Sequence, residues 1–349
     1  MKFSFFYLTS YVPEIHGSER GLYDQLLAEI DEGERIGIDA VWLAEHHFFD
    51  YGGHVPSIPV LGATIAARTK KLKIASGIVM IGLQDPIRVA EQFAMLDQLS
   101  GGRVLFGIGR GFQKCEFDAF GRNLDDSRIA FEEAHEVIRR AWTEERFSFE
   151  GRFTKVKHLR VIPKPLQKPT PPIYVACTFT PQSFEWTGRQ GHHLLVVPYA
   201  SPDLALVKRN IDLYRSAFSA AGHGTTGDVV CASHFYCGES AEKAKEEARA
   251  PMMRYLGQFS ESTRDAAHSD QYVGYDGLSE ALKRFDYDSF LYPKRVVFGD
   301  PDQCVERIRT LEAWGVTHMG LLLDFGGLAP DKIFTSIERF RKYVLPRFR

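Results

Sequence analysis

Eight short apolar runs, alternating with segments of helical spacing, set the strongest limit on how this chain can fold. The runs cover residues 2–8, 38–44, 72–80, 103–108, 173–176, 193–197, 229–236 and 317–323. Near-continuous apolarity of this kind marks strands covered on both faces, as in parallel sheets. Between them the period changes to that of a helix. Leu22, Leu26, Ile30 and Gly33 share one face, and Gly37 suits the exit of that helix. Pro86 opens another helix, with Val89, Phe93 and Leu96 on its apolar face and Ser100-Gly101-Gly102 at its end. Further helices are expected over residues 59–68, 126–142, 182–189, 201–221, 241–258 and 331–345. Eight such units predict an α/β chain folded as one (β/α)8 TIM barrel over residues 1–349. The length exceeds the ~250 residues of a plain barrel. Two irregular stretches take up the excess: an extended connection at 144–172, and residues 259–294, where Tyr272, Tyr275, Phe285, Tyr287, Phe290 and Tyr292 suggest a mobile lid.

The bulk composition removes several function classes. Apolar residues make up 44%, enough for a large core, and the formal net charge is −2 with both signs interspersed. Neither a nucleic-acid footprint nor a polybasic membrane patch is present. No apolar stretch approaches the ~20 residues of a membrane span, and residues 1–6 enter a strand-like run without signal-peptide features. Five widely spaced cysteines with no CxxC pair read as reduced thiols in a cytoplasmic protein, and no metal site is expected.

Active sites of parallel α/β proteins gather where strands end. The second run ends in Ala44-Glu45-His46-His47-Phe48. Alternation along a strand lets only one of His46 and His47 face the barrel mouth, which argues against a shared metal; His192 and His193 meet the same objection. The fourth run leads into Gly107-Ile108-Gly109-Arg110-Gly111, a glycine-rich turn whose arginine can grip an oxyanion. Its GxGxG spacing is not that of a dinucleotide fold. The segment Thr178-Phe179-Thr180-Pro181-Gln182-Ser183 presents hydroxyls at a helix start, suited to capping or to anion binding. No nucleophile elbow, P-loop or HExxH is present. A phosphate cradle without a nucleophile points to a phosphorylated cofactor that carries the chemistry.

Several segments together resemble the bacterial luciferase-like flavin monooxygenases, most closely the luciferase alpha-chain branch. They are Val41-Trp42-Leu43-Ala44-Glu45-His46-His47-Phe48, Asp85-Pro86-Ile87-Arg88-Val89-Ala90-Glu91, Leu96-Asp97-Gln98-Leu99-Ser100-Gly101-Gly102-Arg103, Phe106 to Gly111, and Gly299-Asp300-Pro301-Asp302-Gln303-Cys304. The resemblance implies reduced FMN bound at the C-terminal face of the barrel. It implies His46 as the catalytic histidine, Arg110 as the phosphate arginine, and Thr178, Thr180 and Ser183 beside the phosphate. It puts Gly77, Ile78 and Gly109 at the flavin ring, with a non-prolyl cis peptide near Ser76-Gly77-Ile78. Phe5, Phe6, Trp42, Phe48, Phe112 and Phe179 are expected to wall an apolar substrate pocket.

The activity implied is a two-component monooxygenase. A separate flavin reductase supplies reduced FMN, and dioxygen reacts through a C4a-hydroperoxide. A homodimer is expected, with the helix at 86–99 in the contact and His47 and Glu91 across it. Gly109 replaces the reactive cysteine of the luciferase alpha chain, and Phe179 replaces a glutamate, which argues against light emission. The alternatives are an F420-dependent hydride-transfer enzyme on the same barrel and a non-catalytic flavin-binding barrel.

Overall fold

The computed structural model describes residues 1–201, 204–224, 227–263, 283–292 and 295–349. Eight parallel strands close on themselves. They are β1 (Lys2–Tyr7), β2 (Ala40–Leu43), β3 (Lys73–Ser76), β5 (Val104–Gly109), β8 (Ile173–Cys177), β9 (His193–Val196), β10 (Val229–Cys237) and β12 (His318–Leu322). The ring shuts where β12 pairs with β1, with Lys2 opposite His318 and Phe6 opposite Leu322. The expected (β/α)8 TIM barrel is the fold. The helices that precede the site are α2 (Glu19–Ile36), α3 (Ile58–Arg68) and α4 (Pro86–Ser100). Ser18 caps α2 by accepting from the Gly21 N–H, and Gly37 ends it in the left-handed region at φ 75°. Asp85 caps α4 with Pro86 in its first turn.

The lower interior of the barrel is filled. Trp42 meets Tyr174 edge to face at 5.0 Å and His318 at 6.2 Å, and Ser4 hydrogen-bonds His318. Strands β3 and β5 approach so closely that a Cβ at Gly107 would lie 1.9 Å from the Ser76 carbonyl oxygen. This plug supports the site from below and leaves the space above it open.

Four expectations change. The run at 72–80 is two strands, β3 and β4 (Val79–Met80), separated at a cis Gly77–Ile78 peptide. The connection at 144–172 is not simply extended, because β6 (Phe147–Glu150) and β7 (Lys155–Leu159) pair as an antiparallel hairpin. Glu133 holds the hairpin turn by accepting from the N–H groups of Arg152 (2.8 Å) and Phe153 (3.0 Å). A short strand, β11 (Val297–Gly299), pairs with β10, and the helix Pro301–Ala313 follows it; neither shows in the apolar pattern. The first residues of the expected lid, 259–262, complete the helix α9 (Ala241–Ser262). Tyr287 and Tyr292 bind back to α9, donating to the carbonyls of Lys245 (2.8 Å) and Ala241 (2.9 Å). Tyr272 and Tyr275 lie outside the described residues.

Candidate active site

A cavity opens where the strands end, lined from β1 by Phe6, from the end of β2 by Ala44, Glu45 and His46, and from the β3–β4 break by Gly77 and Ile78. The end of β5 and the loop after it add Gly109, Arg110 and Phe112; the end of β8, the loop after it and the start of the next helix add Cys177, Thr178, Phe179, Thr180 and Ser183. Tyr51, Tyr199 and Phe259 complete the wall. A narrow recess continues from it, sharing Gly109, Arg110, Ala176 and Ser183 and adding Arg128, Glu132 and Trp186.

The strand β2 ends at Leu43, so the chain is already irregular at the histidines. His46 still turns inward and His47 turns away, its ring packed on Phe120 at 4.9 Å and its Nε2 3.6 Å from Glu45. The Nδ1 of His46 lies 3.2 Å from Glu116 Oε1, and the same oxygen accepts the His47 N–H at 2.9 Å. Glu116 is fully buried on α5 (Lys114–Ala119). Glu45 is also buried, which raises its carboxyl above the ordinary range, while Gln84 donates to it at 2.5 Å.

The floor includes two glycines that leave no room for a side chain. A Cβ at Gly109 would lie 2.7 Å from Ile78 Cδ1, and one at Gly77 would lie 2.9 Å from the Phe6 ring. The recess has the opposite character. Arg110 and Arg128 both line it, as does Ser183 in the first turn of α7 (Pro181–Arg189). Thr180 takes the N-cap position of α7, but its hydroxyl does not cap the helix. In the recess two guanidinium groups, the Ser183 hydroxyl and a helix N-terminus stand against one carboxylate, Glu132, while Thr180 lines the main cavity; this donor set fits a phosphomonoester. A glycine-floored cavity joined to such a recess suits a phosphorylated cofactor.

Of the six expected aromatic walls, Phe6, Phe112 and Phe179 line the cavity. Phe5 points outward and packs under α2 near Gly33. Trp42 belongs to the interior plug below the floor. Phe48 is 62% exposed beside Phe120, at a backbone φ of 70°. Strand parity explains the first: Phe6 faces inward, so its neighbour Phe5 must face the helices.

Residues 1–318 match the luciferase-like monooxygenase family. This chain belongs to that family. It is 28% identical to the alkanal monooxygenase alpha chain of Photorhabdus luminescens, over 99% of this chain and 96% of that one. Among solved structures it resembles the monooxygenase RslO1 from Streptomyces bottropensis, with 29% identity, a TM-score of 0.86 and full coverage of both chains. The oxygenating constituent of 3,6-diketocamphane monooxygenase from Pseudomonas putida, solved in complex with FMN, shares the fold at 20% identity and a TM-score of 0.80, over 100% of this chain and 99% of that one.

Within this luciferase-like chain, part of what carries the resemblance is scaffold. Arg103 donates to the Ala66 and Leu72 carbonyls and to Thr69, tying β5 to α3. Asp97 accepts from the backbone and side-chain amides of Gln167 at 2.9 and 2.8 Å. The site residues that the sequence pattern left out are Glu45, Gln113, Glu116 and Arg128, and in the wall Tyr51, Tyr199 and Phe259. Arg128 had a readable signal: a cation in the first turn of the helix Ser127–Thr143 opposes the helix dipole. Such a position makes sense when an anion binds between them. Among the described residues there is no cluster able to hold a metal ion and no helix long and apolar enough to cross a membrane.

A buried acid lies close to the site. Asp324, two residues beyond the cavity-lining Leu322, is wholly buried, and its Oδ1 has no hydrogen-bond partner among the described residues. Burial pushes its carboxyl up to about 7. Glu29 of α2 is likewise raised by burial and by the charge of Asp324. A folded-state value above the unfolded one, ~3.9 for Asp, means that the native state binds more protons between the two. Stability is therefore greatest below about pH 4 for this group and falls as pH rises through about 7. We expect Asp324→Asn to gain on the parent as pH climbs through that window, by on the order of 1–4 kcal/mol. Urea denaturation of both proteins at several pH values measures this, and a difference that does not change with pH would refute it.

Proposed function

We propose that this chain is the oxygenase component of a two-component monooxygenase, taking reduced FMN from a separate flavin reductase and oxygenating a largely apolar organic substrate. The observation that carries the reading is the convergence of three parts in one cavity: the His46 imidazole, the glycine floor and the two-arginine recess. Arg110, Arg128, Thr180 and Ser183 would hold the FMN phosphate, with Thr178 beside them. Gly77, Ile78 and Gly109 would underlie the ring. Reduced FMN supplies the two electrons that activate dioxygen. The chain's own groups do the rest. Phe6, Phe112, Phe179, Tyr51, Tyr199 and Phe259 exclude water and receive an apolar substrate. His46, held at Nδ1, exchanges or shares a proton with cofactor or substrate at Nε2.

The 3,6-diketocamphane enzyme, solved with FMN, and the alkanal monooxygenase relative support FMN and a small-molecule substrate. A homodimer fits the exposed side chains. Glu91, Met95 and Leu99 fall on one face of α4, with Met95 51% and Leu99 62% exposed, and Val60 of the adjoining α3 is 70% exposed. Within the chain Glu91 pairs with Arg88 at 2.8 Å. Light scattering in solution tests the dimer, and a monomeric mass would refute it.

The function is tested by oxygen uptake with reduced FMN and a panel of apolar ketones, aldehydes and aromatic compounds. We expect at least one substrate to raise product formation above uncoupled peroxide release. Turnover with reduced F420 without oxygen would instead establish hydride transfer. Tight binding of oxidised flavin with neither product nor peroxide from the reduced form would establish a carrier.

A further inference from the structure

Behind His46 lies a side chain outside the cavity lining. Gln113 immediately follows the cavity-lining Phe112 and is fully buried. Its amide nitrogen, oriented toward Glu116, lies 2.9 and 3.0 Å from the two carboxylate oxygens and 2.9 Å from His46 Nδ1. In that orientation its oxygen accepts from Ser262 Oγ at 2.9 Å. The reverse orientation would set the amide oxygen against both oxygens of Glu116. An amide NH2 has two hydrogens for three acceptors here, the two oxygens of Glu116 and His46 Nδ1, and one hydrogen to Glu116 with one to the imidazole serves both side chains. Glu116 Oε1 already receives the His47 N–H at 2.9 Å, and its own distance to Nδ1 is the longer one, 3.2 Å.

We infer that Gln113 is a positioning residue that fixes the tautomer of His46, keeping Nδ1 as an acceptor and the ring proton on Nε2. A neutral imidazole has one donor and one acceptor, and the partner of one nitrogen sets the role of the other. With Nδ1 occupied by an N–H, Nε2 offers the cavity a donor. His46 is then built to give a hydrogen bond or proton to an oxygen atom rather than to take a proton first. Without Gln113, the Glu116 carboxylate becomes the sole partner at Nδ1 and draws the proton to that nitrogen. The anchor of the amide is Ser262, the last residue of α9, so the tautomer is tied to the end of the helix whose Phe259 walls the cavity.

The consequence for turnover rests on the proposed oxygenase reading; the tautomer does not. The test is nitrogen NMR of ring-labelled histidine in the full chain, with the His46 signals assigned by their loss in His46→Ala. In the parent we expect Nδ1 to resonate as the unprotonated nitrogen of a neutral ring and Nε2 as the protonated one. In Gln113→Leu the two exchange roles, while in Glu116→Gln they stay as in the parent. Under oxygenase turnover, Gln113→Leu lowers kcat about tenfold or more with little change in FMN affinity. A parent spectrum with the proton on Nδ1 overturns the inference, as does a folded Gln113→Leu protein that keeps it on Nε2. If Gln113→Leu does not fold, the parent and Glu116→Gln spectra decide. If no substrate is oxygenated but the spectra behave as stated, the functional reading fails and the tautomer assignment stands.

Discussion

Replacing His46 by alanine should lower substrate oxygenation by about 10²–10⁴-fold, the span typical of losing a positioned acid or base. FMN affinity should change little, because the groups that would grip the phosphate are Arg110 and Arg128 in the adjoining recess, which His46 does not line. The imidazole is held from behind by Glu116, and its ring neighbours are Tyr51 at 5.4 Å and Phe112 at 6.2 Å. Removing it leaves Glu116 with the His47 N–H and, in the amide orientation argued above, with Gln113, so the buried carboxylate keeps partners and the fold survives. Single-turnover kinetics with prebound reduced FMN separates the two effects. The expected record is a slow oxygenation step, normal flavin retention and more peroxide released per oxygen consumed. A variant that oxygenates at the parental rate would show that the imidazole has no part in the chemistry.

The barrel was legible because burial on both faces leaves an unmistakable apolar run, and eight of them fell at the right spacing. What escaped was set by other forces. Strand β11 is three residues long and pairs only at the end of β10, too short to show a period. The β6–β7 hairpin is half exposed and strongly charged, so its alternation is blurred, and it is held from outside by Glu133. The site was half legible for a similar reason. His46, Arg110 and the α7 hydroxyls sit at strand ends, where the rule for parallel barrels points. Glu116 sits on a short helix after the strand end and Gln113 at its N-cap position, and nothing in their spacing says that a carboxylate and an amide will be buried against an imidazole about seventy residues earlier. Within the aromatic wall Phe5 failed by parity, since Phe5 and Phe6 are equally apolar and only the phase of the strand decides which one sees the cavity; Trp42 failed by depth and Phe48 by lying past the strand end.

Arg110→Ala is expected to weaken FMN binding by about 10–100-fold, since a charge-assisted hydrogen bond to phosphate contributes roughly 1.5–3 kcal/mol. Arg128 shares the recess, so the single variant retains one guanidinium, and Arg110→Ala with Arg128→Ala should cost more than either alone. The two effects need not add, because both side chains would touch one phosphate. Riboflavin supplies the control. It has the ring and ribityl chain but no phosphate, so its affinity should be weak for the parent and nearly unchanged by either substitution. Lysine at 110 should restore only part of the binding, because an ammonium cannot make the paired contact of a guanidinium. Fluorescence quenching titrations of FMN and riboflavin against the parent and the four variants measure all of this. If FMN and riboflavin bind the parent equally, or if the arginine variants lose both ligands alike, the recess does not hold the phosphate. The flavin would then have to enter the cavity the other way round, with its ring away from Gly77 and Gly109.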